Sequence, residues 1–204
     1  MVNIGGRDIE VTVCDVGNPC VFANAKNFNI TGYESAADLT ANNEWKANCE
    51  QLRGKTAELL GLTQDWRTWT KFPSFIMLPV FVSPPLPTGT STHVTARVYL
   101  DNMCHESMAG TGAICTAACS QVPGTIVNRV TGELSGLEEV DIAHPIGSIK
   151  IRVQIEESSC SELPIFRTLS FTRTARRIMD GTIYVPWDTL PDGLVANGIP
   201  RESL

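Results

Sequence analysis

Cys104-His105-Glu106-Ser107-Met108-Ala109-Gly110-Thr111-Gly112-Ala113-Ile114-Cys115-Thr116-Ala117-Ala118-Cys119-Ser120-Gln121 is the stretch whose reading decides the fold. From Met108 onward, Ala109, Ala113, Ile114, Ala117 and Ala118 put small or apolar side chains almost all the way round a helical cylinder. This predicts a helix over 108–121 that is buried on every side, with Pro123-Gly124 ending it. A helix without a polar face needs neighbours all around it, and the flanking sequence offers short β-branched runs.

Upstream, residues 8–14 alternate, with Val11 and Val13 set against Glu10 and Thr12, and read as one strand. Gly17-Asn18-Pro19 turns the chain and Cys20-Val21-Phe22-Ala23 resumes it in extended form. Thr31-Gly32-Tyr33-Glu34 is a second turn. Trp45, Cys49, Leu52, Ala57, Leu59 and Leu60 follow helical spacing, with Asn42 or Asn43 as N-cap and Gly61 as the stop. Residues 75–82 and 93–100 read as strands separated by a Pro- and Ser-rich loop at 83–91. Downstream, residues 125–127, 148–155, 165–172 and 182–185 read as short strands. Seven or eight strands to two helices imply an α+β class, with mostly antiparallel strands curled around one apolar helix.

The 204 residues carry 16 Lys+Arg against 22 Asp+Glu, a net charge of −6, with 43% hydrophobic and 19% charged residues. That is globular composition, and the acidic balance argues against a nucleic-acid partner. No apolar run approaches the roughly 20 residues that span a bilayer; the longest, 75–82, contains Pro79. No membrane partner is expected. Seven cysteines, an odd number, and an N-terminus without a signal-peptide pattern suggest reduced thiols and a cytoplasmic location. No Cys-x-x-Cys occurs, Cys115 and Cys119 are only an i,i+4 pair, and Cys104 and His105, being adjacent, point apart. No metal and no cofactor is expected, and the thiols read as small hydrophobes.

Where the strand end meets the buried helix, the first-turn N–H groups and the helix dipole form an anion pocket. Gly110 and Gly112 allow close approach of a ligand, Thr111 adds a hydroxyl, and His105 is placed to orient or protonate a carboxylate. The competing reading is that Gly110-Thr111-Gly112 only permits tight packing. His144, in the turn Ala143-His144-Pro145-Ile146-Gly147, and the Asn18 amide are further candidates that equally suit turn roles. Arg173, Arg176 and Arg177 suit carboxylate recognition or an ion-paired surface. A nucleotide phosphate is disfavoured, since there is no Gly-Lys-[Ser/Thr] and no full GxGxxG before a helix. Serine-hydrolase signals are missing too.

Four blocks taken in order resemble the PrpF-like isomerases: residues 11–19, 104–117, 122–128 and 173–181, with His144-Pro145 between the last two. That family includes 2-methylaconitate, methylitaconate and aconitate isomerases and 4-oxalomesaconate tautomerase. The resemblance implies a diaminopimelate-epimerase-like lobe, a mixed and mostly antiparallel β-barrel wrapped around a central buried helix. It places residues 1–186 in a single C-terminal-type lobe and leaves 187–204 as a tail. The N-terminal lobe, which in the family carries a catalytic lysine and a catalytic cysteine, has no counterpart here. The implied chemistry is cofactor-independent proton abstraction and return on an unsaturated di- or tricarboxylate. No catalytic residue is assigned to this lobe. His105, Ser107, Gly110, Thr111, Gly112, Asn18 and His144 are carried over as substrate-binding positions, and Ala109 stands where the wider epimerase fold has a thiol base. The implied partners are a small carboxylate and either the missing lobe or a second copy of the chain. Without the missing lobe the chain is expected to be inactive. The alternative is a non-catalytic lobe that binds carboxylates or self-associates.

Overall fold

A computed structural model describes residues 1–68, 77–86, 91–132, 136–156 and 163–186. It divides into two units, residues 1–172 and 173–204. The expected tail at 187–204 lies outside the described residues.

The first unit is a mixed α+β fold with a curled sheet and few helices. It opens with a hairpin, β1 (Val2–Ile4) against β2 (Arg7–Ile9), turned by Gly5 and Gly6. Both glycines have positive φ, 56° and 81°, which a two-residue hairpin turn requires and other residues resist. The large sheet uses β3 (Thr12–Cys14), β4 (Cys20–Asn24), β5 (Leu78–Ser83), β6 (Val94–Leu100), β8 (Glu139–His144), β9 (Gly147–Glu156) and β10 (Ile165–Phe171). Their order is β10-β9-β8-β6-β5-β4-β3, and β7 (Met103–Cys104) adds to β6. β4 with β5 and β6 with β8 are parallel, while the other pairs are antiparallel.

Two apolar clusters sandwich the middle of this sheet. On one face α3 (Gly110–Ser120) and α4 (Ile126–Val130) pack with Phe22, Val80, Val98, Ile142 and Ile151. On the other, α1 (Ala36–Ala41), α2 (Asn43–Leu59) and the first hairpin enclose Phe81, Trp45 and Tyr99. Alternation explains the split: along β6, Val94, Ala96 and Val98 turn to the first cluster and Tyr99 to the second. Eight of the eleven α3 residues are buried, as an all-round apolar helix demands.

The α2 reading holds closely. Asn42 caps it through its side-chain oxygen, 2.9 Å from the Trp45 N–H, and Gly61 follows the helix with φ 72°. Asn42→Ala is expected to cost about 1 kcal/mol by leaving that N–H without its cap; chemical denaturation measures it.

Three expectations are corrected and one helix is added. Residues 8–14 are not one strand: Arg7–Ile9 pairs with the N-terminal strand, and the chain breaks before Thr12 joins the sheet. Residues 125–127 belong to a helix, because Thr125 Oγ1 caps the Asn128 N–H at 3.1 Å and the Asn128 amide bonds the Ser120 carbonyl at 2.8 Å. Helical packing there overrides the β-branched preference. Thr182–Val185 forms no strand; it lies in the second unit, whose described residues 173–186 contain neither helix nor strand. Ser35, capping Asp38 N–H at 3.1 Å, starts the α1 helix that the hydrophobic pattern did not reveal.

Candidate functional site

The helix start singled out from sequence is built differently from the other three helix starts. Ser35, Asn42 and Thr125 each cap their helix with a side-chain oxygen, whereas Ala109, the residue before α3, offers none. The first-turn N–H groups of α3 therefore remain available at the positive end of an eleven-residue helix.

The two glycines differ in their roles. A Cβ at Gly110 would stand 2.3 Å from Phe171 Cζ, so this glycine makes room for the β10 aromatic. At Gly112 the nearest atoms would be 3.5 Å and 3.7 Å away, an ordinary contact. Neither has a positive φ. The tight-packing reading thus holds for Gly110, and backbone conformation requires glycine at neither position.

Thr111 meets the loop between β3 and β4: an added Cβ on Gly17 would lie 3.9 Å from its Cβ and Cγ2. The next residue, Asn18, is tied to α3 through its carbonyl, which accepts from Cys115 Sγ at 3.2 Å and from Cys20 Sγ at 3.3 Å. The structure therefore brings Asn18 and Thr111 together, although the tie runs through the Asn18 backbone.

His105 follows β7 and is half-buried. Its Nδ1 lies 3.1 Å from the Ser107 N–H, 3.0 Å from the Ser107 carbonyl and 3.4 Å from Ser107 Oγ. With Nδ1 unprotonated the ring accepts from the N–H, and with a hydrogen on Nδ1 it donates to the carbonyl, so Ser107 satisfies this nitrogen in either tautomer. Nε2 makes no bond among the described residues. Ser107 is thus the partner of His105 and, through its backbone, its orienting group.

His144 closes β8 beside the turn to β9. Burial, together with the neighbouring positive charges of Arg97 and His105, pushes its imidazole below the usual 6.5, with the Ser148 carbonyl opposing. His144 and His105 therefore share one electrostatic neighbourhood. The folded chain binds this proton less tightly than the unfolded chain. His144 thus contributes fully to stability above about pH 6.5, and that contribution is lost as pH falls below it. Unfolding midpoints measured between about pH 7 and 5 are expected to fall less steeply in His144→Gln than in the unmodified chain.

Arg97 was not found from sequence. It is 4% exposed, donates to the Glu34 and Ala96 carbonyls at 2.8 Å and 2.9 Å, and forms no ion pair among the described residues. Burial pushes its guanidinium below its usual value. Its signal was a charge inside an otherwise apolar strand, Val94-Thr95-Ala96-Arg97-Val98. Within the second unit, Arg177 pairs with Asp180, in keeping with the ion-paired alternative for that arginine group.

Among the described residues no group of three or more His, Cys, Asp or Glu has the geometry to hold a metal ion, and no helix is long and apolar enough to cross a membrane. A groove of about 1010 Å³ lined by Gln121, Glu138, Arg152, Gln154 and Arg167 contains none of the positions singled out from sequence.

Residues 1–186 match the PrpF protein family. A 3-methylitaconate isomerase of Eubacterium barkeri is 31% identical over 189 residues, covering 87% of this chain and 48% of that protein. A 2-methyl-aconitate isomerase of Shewanella oneidensis is 27% identical over 188 residues, covering 87% and 46%. The crystal structure of a methylitaconate-delta-isomerase superposes with a TM-score of 0.75 at 30% identity, covering 90% of this chain and 49% of that one. The chain thus spans about half the length of the curated relatives it matches.

Proposed function

This chain belongs to the PrpF family, and from that premise we propose that it forms one lobe of a cofactor-independent isomerase acting on a small unsaturated di- or tricarboxylate. The observation that carries this reading is the uncapped start of α3 at Thr111, with Gly17-Asn18 against it and His105, whose Nε2 has no bond among the described residues, five residues upstream of Gly110. Helix N–H groups and an imidazole are donors that suit carboxylate oxygens and the enolate-like charge of proton abstraction. Ser107 holds the imidazole, and His144, whose proton affinity is lowered, lies in the same electrostatic neighbourhood. The α3 helix, apolar all round and packed on one sheet face, supports a diaminopimelate-epimerase-like lobe for the first unit, residues 1–172.

In this reading the reaction removes a proton α or γ to a carboxylate and returns one at another carbon. The base and acid come from a second lobe, and the chain alone is inactive. Only an assembled enzyme brings them to the ligand held here. Methylitaconate and methylaconitate, the compounds in the relatives' names, are unsaturated polycarboxylates of the required class.

The test follows isomerisation of cis- and trans-aconitate and of methylitaconate by ultraviolet absorbance. The purified chain is assayed alone and with the N-terminal half of a family member supplied as a separate polypeptide. Turnover only in the mixture supports the proposal. Turnover by the chain alone, surviving repurification, overturns its dependence on a second lobe. Carboxylate binding without turnover in either arm favours the non-catalytic alternative.

A further inference from the structure

Four of the cysteines converge on one spot from three elements. Cys14 and Cys20 are directly opposite each other on β3 and β4, and Cys115 and Cys119 lie one turn apart on α3. All four pack in or against the same apolar cluster. Cys115 Sγ and Cys20 Sγ contact the same Asn18 carbonyl at 3.2 Å and 3.3 Å, and Cys14 Sγ lies 4.0 Å from the Cys115 carbonyl. Cys14 is the member with appreciable exposure; the other three are buried. The group does not have metal-holding geometry.

We propose that Cys14 and Cys115 form a peroxide-sensitive thiol pair that closes to a disulfide beneath the Asn18 loop. In the step, each sulfur loses its hydrogen and one S–S bond forms. The peroxide O–O bond breaks, taking up two electrons and two protons to leave two waters. The first sulfur attacked passes through a sulfenic acid, and the second displaces its oxygen as water. Contacts with the Cys14 and Cys20 thiols stabilise negative charge on Cys115 against the opposing effect of burial, and hold its pKa below the usual thiol value. The same contacts, with Cys115 first and Cys119 next, push Cys14 up. Cys115 is thereby the more acidic sulfur of the pair and Cys14 the less acidic, an asymmetry that thiol oxidation uses. Closing the bond removes the S–H that Cys115 donates to Asn18, so the loop beside Thr111 loses a tie.

The experiment uses the full reduced chain without other additions. Hydrogen peroxide is added in steps, remaining thiols are blocked in acid, and non-reduced tryptic peptides are sequenced by mass spectrometry. The expected result is one linked species joining Cys14 to Cys115, with two thiols lost per peroxide consumed and reversal by dithiothreitol. The link should vanish in Cys14→Ser and persist in Cys49→Ser, whose thiol is buried in the other cluster. Fragment sequencing of the unmodified chain locates the bond even where a variant folds poorly. A link from Cys14 to Cys20 or Cys119 overturns the proposal. So does recovery of Cys14 as unlinked sulfinic acid, or survival of all four thiols at a peroxide excess that oxidises exposed methionine.

Discussion

His105→Ala is expected to weaken binding of a small dicarboxylate about 10- to 100-fold while leaving the unfolding midpoint nearly unchanged. The magnitude is that of one hydrogen bond to a charged group, about 1.5–3 kcal/mol. The stability expectation follows from placement: the ring is half-buried and its bonds are to Ser107, two residues away. Removing it leaves the Ser107 N–H in a turn that water reaches. Calorimetric titration with methylitaconate, or KM in the assembled enzyme, measures the effect. His105→Gln should recover part of the loss by restoring a donor near Nε2. Unchanged affinity in a folded His105→Ala protein would reduce His105 to a turn residue and leave the α3 start without its second donor.

Trp45→Ala is expected to destabilise the first unit by about 3–5 kcal/mol, the range for deleting a large aromatic from a packed interior. Trp45 is 1% exposed. Its ring lies 5.5 Å from Phe81 and meets Tyr99 edge-on at 5.6 Å, while Phe28 packs on the other side of Phe81 at 4.8 Å. This aromatic group joins α2 to β5 and β6, so its loss loosens the whole second layer. Against a typical domain stability of about 5–15 kcal/mol, such a loss shifts the denaturation midpoint visibly. Trp45→Phe should retain most of the stability, and urea unfolding followed by circular dichroism distinguishes the two. A shift below about 1 kcal/mol in Trp45→Ala would mean that α2 docks through Leu52 and Cys49 instead.

The legibility of the sequence followed the range of the forces involved. The α2 helix was readable at both ends because an Asn cap and a stopping Gly act within one turn. The turn at Gly17-Asn18-Pro19 was readable for the same reason. Misreadings arose where a local preference met a distant partner. Ile126 and Val127 favour extended chain, yet the Ile126 N–H is held by Thr12 Oγ1 at 3.0 Å from across the fold. Thr182–Val185 has the right composition for a strand but no ladder to join, and composition alone cannot supply the paired backbone groups. The α1 helix did have a signal, Ser35 three residues before Asp38, but a six-residue element carries too little periodicity to stand out.

At the candidate site the chemistry was visible and its geometry was not. Motif order along the chain placed His105, Ser107, Thr111, Asn18 and His144 among the positions to examine. The structure moved the start of the buried helix from Met108 to Gly110, and so put Ala109, which has no oxygen to offer, at the capping position. Only the tertiary structure decided that Gly110 makes room for Phe171, that Gly17 faces Thr111, and that His144 lies near both Arg97 and His105. It likewise brought Cys20 and Cys115 to the Asn18 carbonyl and Cys14 to the Cys115 carbonyl, joining residues about 100 positions apart. Caps, turns and periodicity are set by contacts within a few residues, and a sequence displays them directly. Contacts between strands and across layers depend on register and on which face each strand presents, and these are settled only when the whole core packs.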